Sequence, residues 1–189
     1  MKIGIYVGSF NPIHKGHIKI INYLIIHKYV DKIIIIPTGN YWHKQDLVDL
    51  LHRINMVKFY ENKYIYVNDK LNKLPYTFQI LNELKNVYKE HVLNLIIGDD
   101  NLEKFHLWKN VDNILKNNII VIPRNNDYKK YINKYKEKSK FIVVENFQIE
   151  NISSTLIRKC IKENNLKDVL IYIDEDILNY IIENGLYSE

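Results

Sequence analysis

The stretch of sequence that determines the fold is GSFNPIHKGH, residues 8–17, which holds two of the six glycines in the chain. It follows KIGIYV, a mainly apolar run typical of a buried strand, and it precedes a helical pattern over Ile18–Tyr29. A turn containing glycine and proline between a strand and a helix is the first half of a strand–helix–strand unit. The rest of the chain shows whether that unit repeats.

The alternation of strands and helices continues to about residue 144. Runs such as IIII at 33–36 lack the alternating polarity of a half-exposed strand, which indicates a sheet covered on both faces. The predicted strands are Lys2–Val7, Lys32–Ile36, Tyr64–Val67, Val92–Ile97, Asn118–Ile122 and Phe141–Val144. The predicted helices are Ile18–Tyr29, Leu50–Glu61, Thr77–Lys89, Val111–Lys116 and Asp127–Glu137. We therefore expect an α/β fold with a doubly wound, mainly parallel, Rossmann-like sheet.

The last part of the chain has a different pattern. After Glu150 only helical segments are predicted, around Ser154–Glu163, Leu166–Tyr172 and Glu175–Asn184. The sequence has no internal repeat and no low-complexity linker that would separate this tail from the rest. We expect residues 1–189 to form a single domain, in which a helical cap at about 151–189 packs on the sheet.

Composition argues against several classes of protein. The formal net charge is +5, but the lysines are scattered along the chain, so we expect no nucleic-acid partner. Apolar stretches fall short of the roughly 18 residues that a membrane span needs, and the first residues lack a signal-peptide pattern. Cys160 is the only cysteine, which excludes an internal disulfide and fits a reducing compartment. We expect a cytoplasmic protein without a membrane partner, and association into a homo-oligomer is left open.

Uncommon residue types collect at one edge of the predicted sheet. In open α/β sheets, ligands bind beyond the carboxyl ends of the strands. Four of the six glycines and three of the seven histidines lie in loops that follow strands. These loops are GSFNPIHKGH, PTGNYWHK, GDDN and PRNN. Only three of the 27 basic residues are arginines, so an arginine suggests a site that needs its planar, forked donor.

The first of these loops has the features of a phosphate site. Gly8 would let a phosphate approach the backbone, and Gly16 would let the next helix begin close to the ligand, where its N–H groups favour anions. His14 and His17, three residues apart, can both donate to phosphate oxygens. Two other interpretations are a metal pair and buried histidines satisfied by the backbone. No acidic residue or cysteine follows at the spacing of a third ligand, so phosphate binding is favoured and no metal site is predicted.

Several motifs of the chain together resemble one enzyme family. GSFNPIHKGH resembles the (G/S/T)-x-F-[DN]-P-x-H-x-G-H signature of the nucleotidyltransferase superfamily. Six further segments, in order along the chain, are similar to segments of bacterial nicotinate (nicotinamide)-nucleotide adenylyltransferases. They are PTGNYWHK (37–44), HRINM (52–56), PYTFQIL (75–81), IIGDDNLEKFHLW (96–108), ISSTLIR (152–158) and ENGLY (183–187). Asp99 stands where that family usually has alanine.

The resemblance implies transfer of AMP from ATP to a pyridine mononucleotide, with Mg²⁺ carried by the ATP. It implies that His14, His17, Lys44 and Arg158 are catalytic. It implies that ATP binds at Gly8, Ser9, Phe10, Gly16, Ile152, Ser153 and Ser154. It implies that the acceptor binds at His43, Thr77, Gly98, Asp100, Trp108 and Lys109. Donors from both ends of the chain are thus expected to converge on one polyphosphate.

The acceptor is the open part of this prediction. Bacterial members of the family generally prefer the nicotinate nucleotide, and Lys109 could favour its carboxylate, so nicotinate mononucleotide is predicted. Nicotinamide mononucleotide is the alternative acceptor. Pantetheine-phosphate adenylyltransferase is an alternative enzyme, although Trp108 and the ENGLY ending disfavour it. A nucleotide-binding regulatory domain is the alternative that is not an enzyme, and the clustering of donors at one edge argues against it.

Overall fold

The structure, a computed structural model, describes residues 1–41, 46–124, 128–148 and 152–188. Its strands are β1 (Lys2–Gly8), β2 (Lys32–Pro37), β3 (Ile65–Val67), β4 (Val92–Gly98), β5 (Asn118–Ile122) and β6 (Phe141–Val143). Its helices are α1 (Lys15–Ile26), α2 (Leu50–Lys58), α3 (Thr77–Val87), α4 (Asp99–Glu103), α5 (Val111–Ile114), α6 (Tyr128–Tyr135), α7 (Ser154–Lys162), α8 (Leu166–Tyr172) and α9 (Glu175–Glu183). Short 3₁₀ turns lie at Leu71–Lys73 and Phe105–Leu107.

The six strands form one sheet in the order β3-β2-β1-β4-β5-β6, and every neighbouring pair is parallel. The predicted fold class, a doubly wound Rossmann-like α/β sheet, is confirmed. From β1 the chain builds outward through β2 and β3, then crosses to β4 on the other side of β1. The topological switch point therefore lies between β1 and β4, at whose carboxyl ends stand Gly8 and Gly98.

The run IIII at 33–36 shows why these strands lack alternation. Ile33 and Ile35 belong to a buried cluster on one face of the sheet, together with residues of α1. Ile34 and Ile36 belong to the cluster on the other face, together with residues of α3. Each side chain of this strand thus meets a helical layer, as expected of a parallel sheet covered on both sides.

The helical tail packs against the first of these clusters. Ile157, Val169 and Ile177, from α7, α8 and α9, are buried in the cluster that contains Ile33 and Ile35. The division of the chain into domains stays a prediction. None of the helices in the four described ranges combines the length and the apolar character that crossing a bilayer requires.

The start of α1 differs from the prediction. The apolar pattern predicted a start at Ile18, whereas the helix begins at Lys15, with His14 in the extended N-cap conformation. Periodicity missed this turn because Lys15, Gly16 and His17 are not apolar. The earlier start brings both histidines to the first turn of the helix. The short helix α4 was also not predicted, since one turn is too short to show a period.

Candidate functional site

A cleft of about 810 Å³ opens where the carboxyl ends of β1 and β4 meet. Nine of the residues expected at the site line it: Gly8, Ser9, Phe10, His17, Thr77, Gly98, Asp100, Trp108 and Lys109. Tyr6, Thr38, Tyr41 and Arg124 also line it and were not expected there. The position agrees with the general rule for parallel sheets, since the strand order reverses between these two strands.

The turn after β1 is built around a buried phenylalanine. Phe10 has φ +47° and is 3% exposed, so its ring folds back under the strand end. A Cβ on Gly8 would lie 3.0 Å from this ring. The absence of a side chain at Gly8 leaves room for the ring of Phe10. The approach of a phosphate to Gly8 stays a prediction.

The two histidines of the motif form one stacked unit. Their ring centroids are 3.7 Å apart, and the backbone N–H of His14 donates to Nδ1 of His17 at 3.3 Å. Since Nδ1 of His17 accepts, its proton is assigned to Nε2, which can donate to a ligand. The His17 ring also meets Phe10 edge-on at 5.1 Å. Nδ1 of His14 is buried and has no hydrogen-bond partner within the described part of the chain.

Both histidines are held in their neutral form. Burial, reinforced by the positive charge of Arg124, lowers the pKa of His14 to about 4. Burial, together with the neighbouring His14 and Arg124, lowers the pKa of His17 well below its ordinary value. Each ring therefore provides a neutral N–H donor near pH 7, and a bound anion would favour protonation.

A second, much smaller hollow, of about 10 Å³, also borders the histidine pair. It is lined by His14, Gly16, His17, Lys19, Ile20, Arg124, Phe147 and Ile152. A Cβ on Gly16 would come within 3.0 Å of Nδ1 of His14, so a side chain there would press on the ring. His17 and Arg124 line both the cleft and the hollow. These two residues mark the junction of the two spaces.

Arg124 was missed at the sequence level as a site residue. The sequence did contain a signal for Arg124 as a site residue, because it is one of only three arginines and follows β5 at the functional edge of the sheet. No motif drew attention to it. The structure adds that its backbone N–H donates to Oδ2 of Asp99 at 2.8 Å.

The residues of ISSTLIR contact the first loop from the opposite side. Oγ of Ser153 accepts from the backbone N–H of Leu156 and so caps α7. Oγ of Ser154 donates to the carbonyl of Pro12 at 2.9 Å. Nη1 of Arg158 donates to the carbonyl of Asn11 at 2.9 Å. These contacts hold the loop that carries the histidines.

Arg158 does not share a cavity with the histidine pair in this structure. It lines a separate space of about 470 Å³, together with Asp46, Lys159, Lys162 and Tyr187 among others. The expected convergence of both chain ends on one pocket is therefore not observed for this side chain. In the structure its guanidinium contacts the loop that precedes the histidines, through the carbonyl of Asn11.

A buried arginine joins the loops that follow β1 and β2. Arg53, on α2, is fully buried, and its guanidinium donates to four oxygens at 2.6–3.1 Å. The acceptors are the carbonyls of Ser9, Thr38 and Val48 and Oδ1 of Asn40. The sequence singled out this arginine within HRINM but gave it no role. It positions the edge of the site.

The far end of the cleft has an aromatic wall. Trp108 is half-buried and packs edge-on against Phe105 at 5.1 Å, while Lys109 beside it is exposed. Thr77 is the first residue of α3, so backbone N–H groups of a helix start lie beside it. A Cβ on Gly98 would collide with Oδ1 of Asp100. A flat ring with a polar substituent fits these features.

Two expected residues cannot be placed. His43 and Lys44 lie outside the described residues. Within the described ranges, no group of three or more His, Cys, Asp and Glu side chains could hold a metal ion.

The cleft lies at the switch point of a parallel sheet and is surrounded by imidazole, arginine and helix-start donors. This arrangement defines a nucleotide-binding α/β protein. Residues 5–160 match the cytidylyltransferase-like family. A relative from Flavobacterium johnsoniae is 36% identical over the whole of both chains and carries the name "Probable nicotinate-nucleotide adenylyltransferase". One of the same name from Fusobacterium nucleatum is 34% identical over 96% of this chain and 97% of its own. The chain therefore belongs to the cytidylyltransferase-like family and, within it, to the nicotinate-nucleotide adenylyltransferases.

The solved structures agree on the fold. Nicotinic acid mononucleotide adenylyltransferase of Plasmodium falciparum, complexed with NaAD, superposes with a TM-score of 0.83 at 24% identity. The match covers 98% of this chain and 97% of that one. The same enzyme complexed with APC gives a TM-score of 0.79.

Proposed function

We propose that this protein transfers AMP from ATP to nicotinate mononucleotide, giving nicotinate adenine dinucleotide and pyrophosphate in NAD biosynthesis. The observation that carries the proposal is the cleft of about 810 Å³ at the switch point, which both His17 and Arg124 line. Two nucleotides held against these donors in the cleft would meet at a phosphate. The named relatives support the same reaction.

The reaction needs positioning more than it needs a base. The acceptor phosphate is already ionised near neutral pH, so one of its oxygens can attack the α-phosphorus of ATP directly. A new P–O bond forms, the bond from the α-phosphorus to the bridging oxygen breaks, and pyrophosphate leaves with that electron pair. Catalysis of such a transfer relies on alignment and on donors that stabilise the developing charge.

The neutral histidine pair suits this task. Nε2–H of His17 is free of the bond that orients its ring, so it can donate to an oxygen of the transferring phosphate. His14 backs this ring by stacking and by its backbone N–H. We assign ATP to the side of the pair that carries Gly16, Ile152 and the start of α7. Ser9 and Phe10 line the neighbouring cleft and Ser153 and Ser154 lie at the start of α7, and all four are proposed to contact ATP. Lys44 is proposed to act on the phosphates.

Arg158 is proposed to act through the loop. Its hydrogen bond to the carbonyl of Asn11 holds the loop that carries the histidines. We propose that His43, Thr77, Gly98, Asp100, Trp108 and Lys109 bind the pyridine nucleotide.

Mg²⁺ is proposed to enter with ATP. The donor set fits a metal held mainly by phosphate oxygens and water, because the side chains at the junction are imidazole and guanidinium donors rather than carboxylates. When bound, the ion would neutralise charge on the phosphates of ATP. A cytoplasmic location and any association between copies also remain proposals.

The acceptor preference is argued from charge. Nicotinate differs from nicotinamide by one carboxylate in place of one amide. Lys109 is exposed at the edge of the cleft, next to the aromatic wall made by Trp108. A cation at that place lowers the free energy of a bound carboxylate and does little for an amide.

The test is an acceptor comparison. The protein is incubated with ATP and Mg²⁺ and, separately, with nicotinate mononucleotide, nicotinamide mononucleotide and phosphopantetheine, and release of pyrophosphate is measured. The highest kcat/KM is expected with nicotinate mononucleotide. Lys109→Met should reduce the preference for nicotinate over nicotinamide, whereas Lys104→Met, also exposed, should not. Turnover only with phosphopantetheine, or with none of the three, would overturn the proposal.

A further inference from the structure

A buried carboxylate stands directly beside the junction of the two cavities. Asp99 is the first residue after β4 and is 4% exposed, whereas its neighbour Asp100 is exposed. Burial of a carboxylate is costly unless it is hydrogen-bonded. Its Oδ2 accepts from the backbone N–H of Arg124 at 2.8 Å.

The need for such an acceptor follows from the sheet. The ladder between β4 and β5 ends with the pair Gly98 and Ile122. Beyond this pair β4 turns into α4, so it offers no further strand carbonyl to the N–H groups that follow β5. A backbone N–H without a partner is destabilising where water is excluded. The carboxylate of Asp99 accepts the hydrogen bond from the backbone N–H of Arg124 that a strand carbonyl would otherwise accept.

The residue that is held in this way is Arg124, which lines both cavities, as His17 does. Nε of Arg124 lies 3.5 Å from the position of a Cβ on Gly98, so the side chain runs across the end of β4. It continues to the hollow that is lined by His14 and His17. Fixing the backbone of this residue therefore fixes where its guanidinium can reach.

We propose that Asp99 is a positioning residue, which holds Arg124 where the two cavities meet so that the guanidinium faces the phosphate being transferred. This inference rests on the proposed function for the identity of the ligand. The placement of Arg124 by Asp99 is a property of the free protein and can be tested without any ligand.

The first experiment measures the histidines in the free protein. The charge of Arg124 lowers the pKa of both His14 and His17, so their titration by NMR reports its position. Asp99→Ala and Arg124→Ala should each raise both pKa values, and the double variant should match Arg124→Ala alone. Asp99→Asn keeps an oxygen acceptor and should resemble the wild type. Glu103→Gln, at the exposed end of α4, is the matched control and should change nothing.

The second experiment is kinetic. Asp99→Ala should lower kcat/KM for ATP about tenfold, the size expected when one charge-assisted hydrogen bond is lost, while Asp99→Asn loses less. The losses from Asp99→Ala and Arg124→Ala should not add in the double variant. If Asp99→Ala does not fold, Asp99→Ser takes its place. Serine keeps a polar group at this buried position, but its side chain is too short to accept from the backbone N–H of Arg124.

Two results would overturn the proposal. One is an Asp99→Ala protein whose histidine pKa values equal those of the wild type. The other is fully additive effects of the two single variants. Either result would contradict the positioning of Arg124 by Asp99, even if the acceptor assay supports the proposed enzyme. Raised histidine pKa values in Asp99→Ala would support that positioning even if the acceptor assay fails.

Discussion

The hydroxyl of Tyr187 donates to Oδ1 of Asn11 at 2.8 Å, so the end of the chain is bonded to the turn that precedes the histidine pair. The same amide donates to the carbonyl of Asp46 at 2.7 Å and accepts from the backbone N–H of Val48 at 3.3 Å. Tyr187 is 8% exposed, and burial raises its pKa, so it remains a protonated donor. Three parts of the chain that are distant in sequence thus meet at one asparagine.

Tyr187→Phe tests this junction. The substitution removes one buried hydroxyl and keeps the ring, so we expect a loss of about 1 kcal/mol in the free energy of unfolding. It should also raise the KM for ATP, because the loop is held less firmly. Urea denaturation and steady-state kinetics measure the two effects. Tyr66→Phe, on an exposed tyrosine, is the control. Equal stability of the two variants would contradict the assigned role.

Arg53→Lys should be more damaging than its chemical similarity suggests. A lysine cannot reach the four oxygens that the planar guanidinium of Arg53 satisfies, and the oxygens left over lose their donor. We expect a loss of about 2–4 kcal/mol in the free energy of unfolding. The control is Lys58→Ala, on the same helix as Arg53. It removes an exposed ion pair with Asp69 and should have little effect on the free energy of unfolding. A wild-type unfolding curve for Arg53→Lys would exclude the role.

Gly98→Ala should separate binding from stability. Gly98 has φ −76° and ψ 158°, which alanine adopts without strain, but its Cβ would displace the carboxylate of Asp100. That carboxylate ends an exposed side chain and can move, so the unfolding temperature should stay close to that of the wild type. The KM for the pyridine nucleotide should rise about tenfold, as expected when one charged contact to a ligand is lost. An unchanged KM would show that Asp100 does not touch the acceptor.

His17→Ala should abolish most of the activity. The proposed Nε2–H donor to the transferring phosphate is removed, and loss of one such donor typically lowers kcat about 10²–10³-fold. Circular dichroism should remain that of a folded protein, since His17 is only half-buried. His27→Ala, on the exposed end of the same helix, should keep full activity. An active His17→Ala protein would show that the residue serves packing alone.

Stability should decrease in mild acid because of His14. An unfolded histidine binds a proton with a pKa near 6.5, whereas the folded ring does so at about 4. Between these pH values the unfolded chain binds more protons than the folded protein. The contribution of His14 to the free energy of unfolding is therefore fully present above about pH 6.5 and is lost as the pH falls toward 4. One such group contributes a slope of about 1.4 kcal/mol per pH unit. His14→Gln should reduce the slope in urea titrations at several pH values, and His106→Gln, which is exposed, should leave it unchanged.

Much of the candidate site could be predicted from motifs that are separated in the sequence. Gly98 ends β4 and Thr77 begins α3, so the parallel sheet places both at one edge, whereas Trp108 follows a short 3₁₀ turn and was found through its motif. Arg124 also follows a strand at this edge, but only the structure shows that it lines both cavities. The motif of Arg158 implied a pocket shared with the histidines; its guanidinium contacts the carbonyl of Asn11, and its part in catalysis stays a prediction.

The sequence alone determined the order of strands and helices, the parallel sheet and the edge at which the site lies. These follow from local apolar patterns and from glycine, proline and histidine at the ends of strands, which are properties of short segments. The tertiary structure decided which side chains meet: Tyr187 with Asn11, Arg53 with Ser9, and Asp99 with Arg124. Such contacts depend on the path of each loop and on which buried group lacks a partner, and both are set only when distant segments pack together.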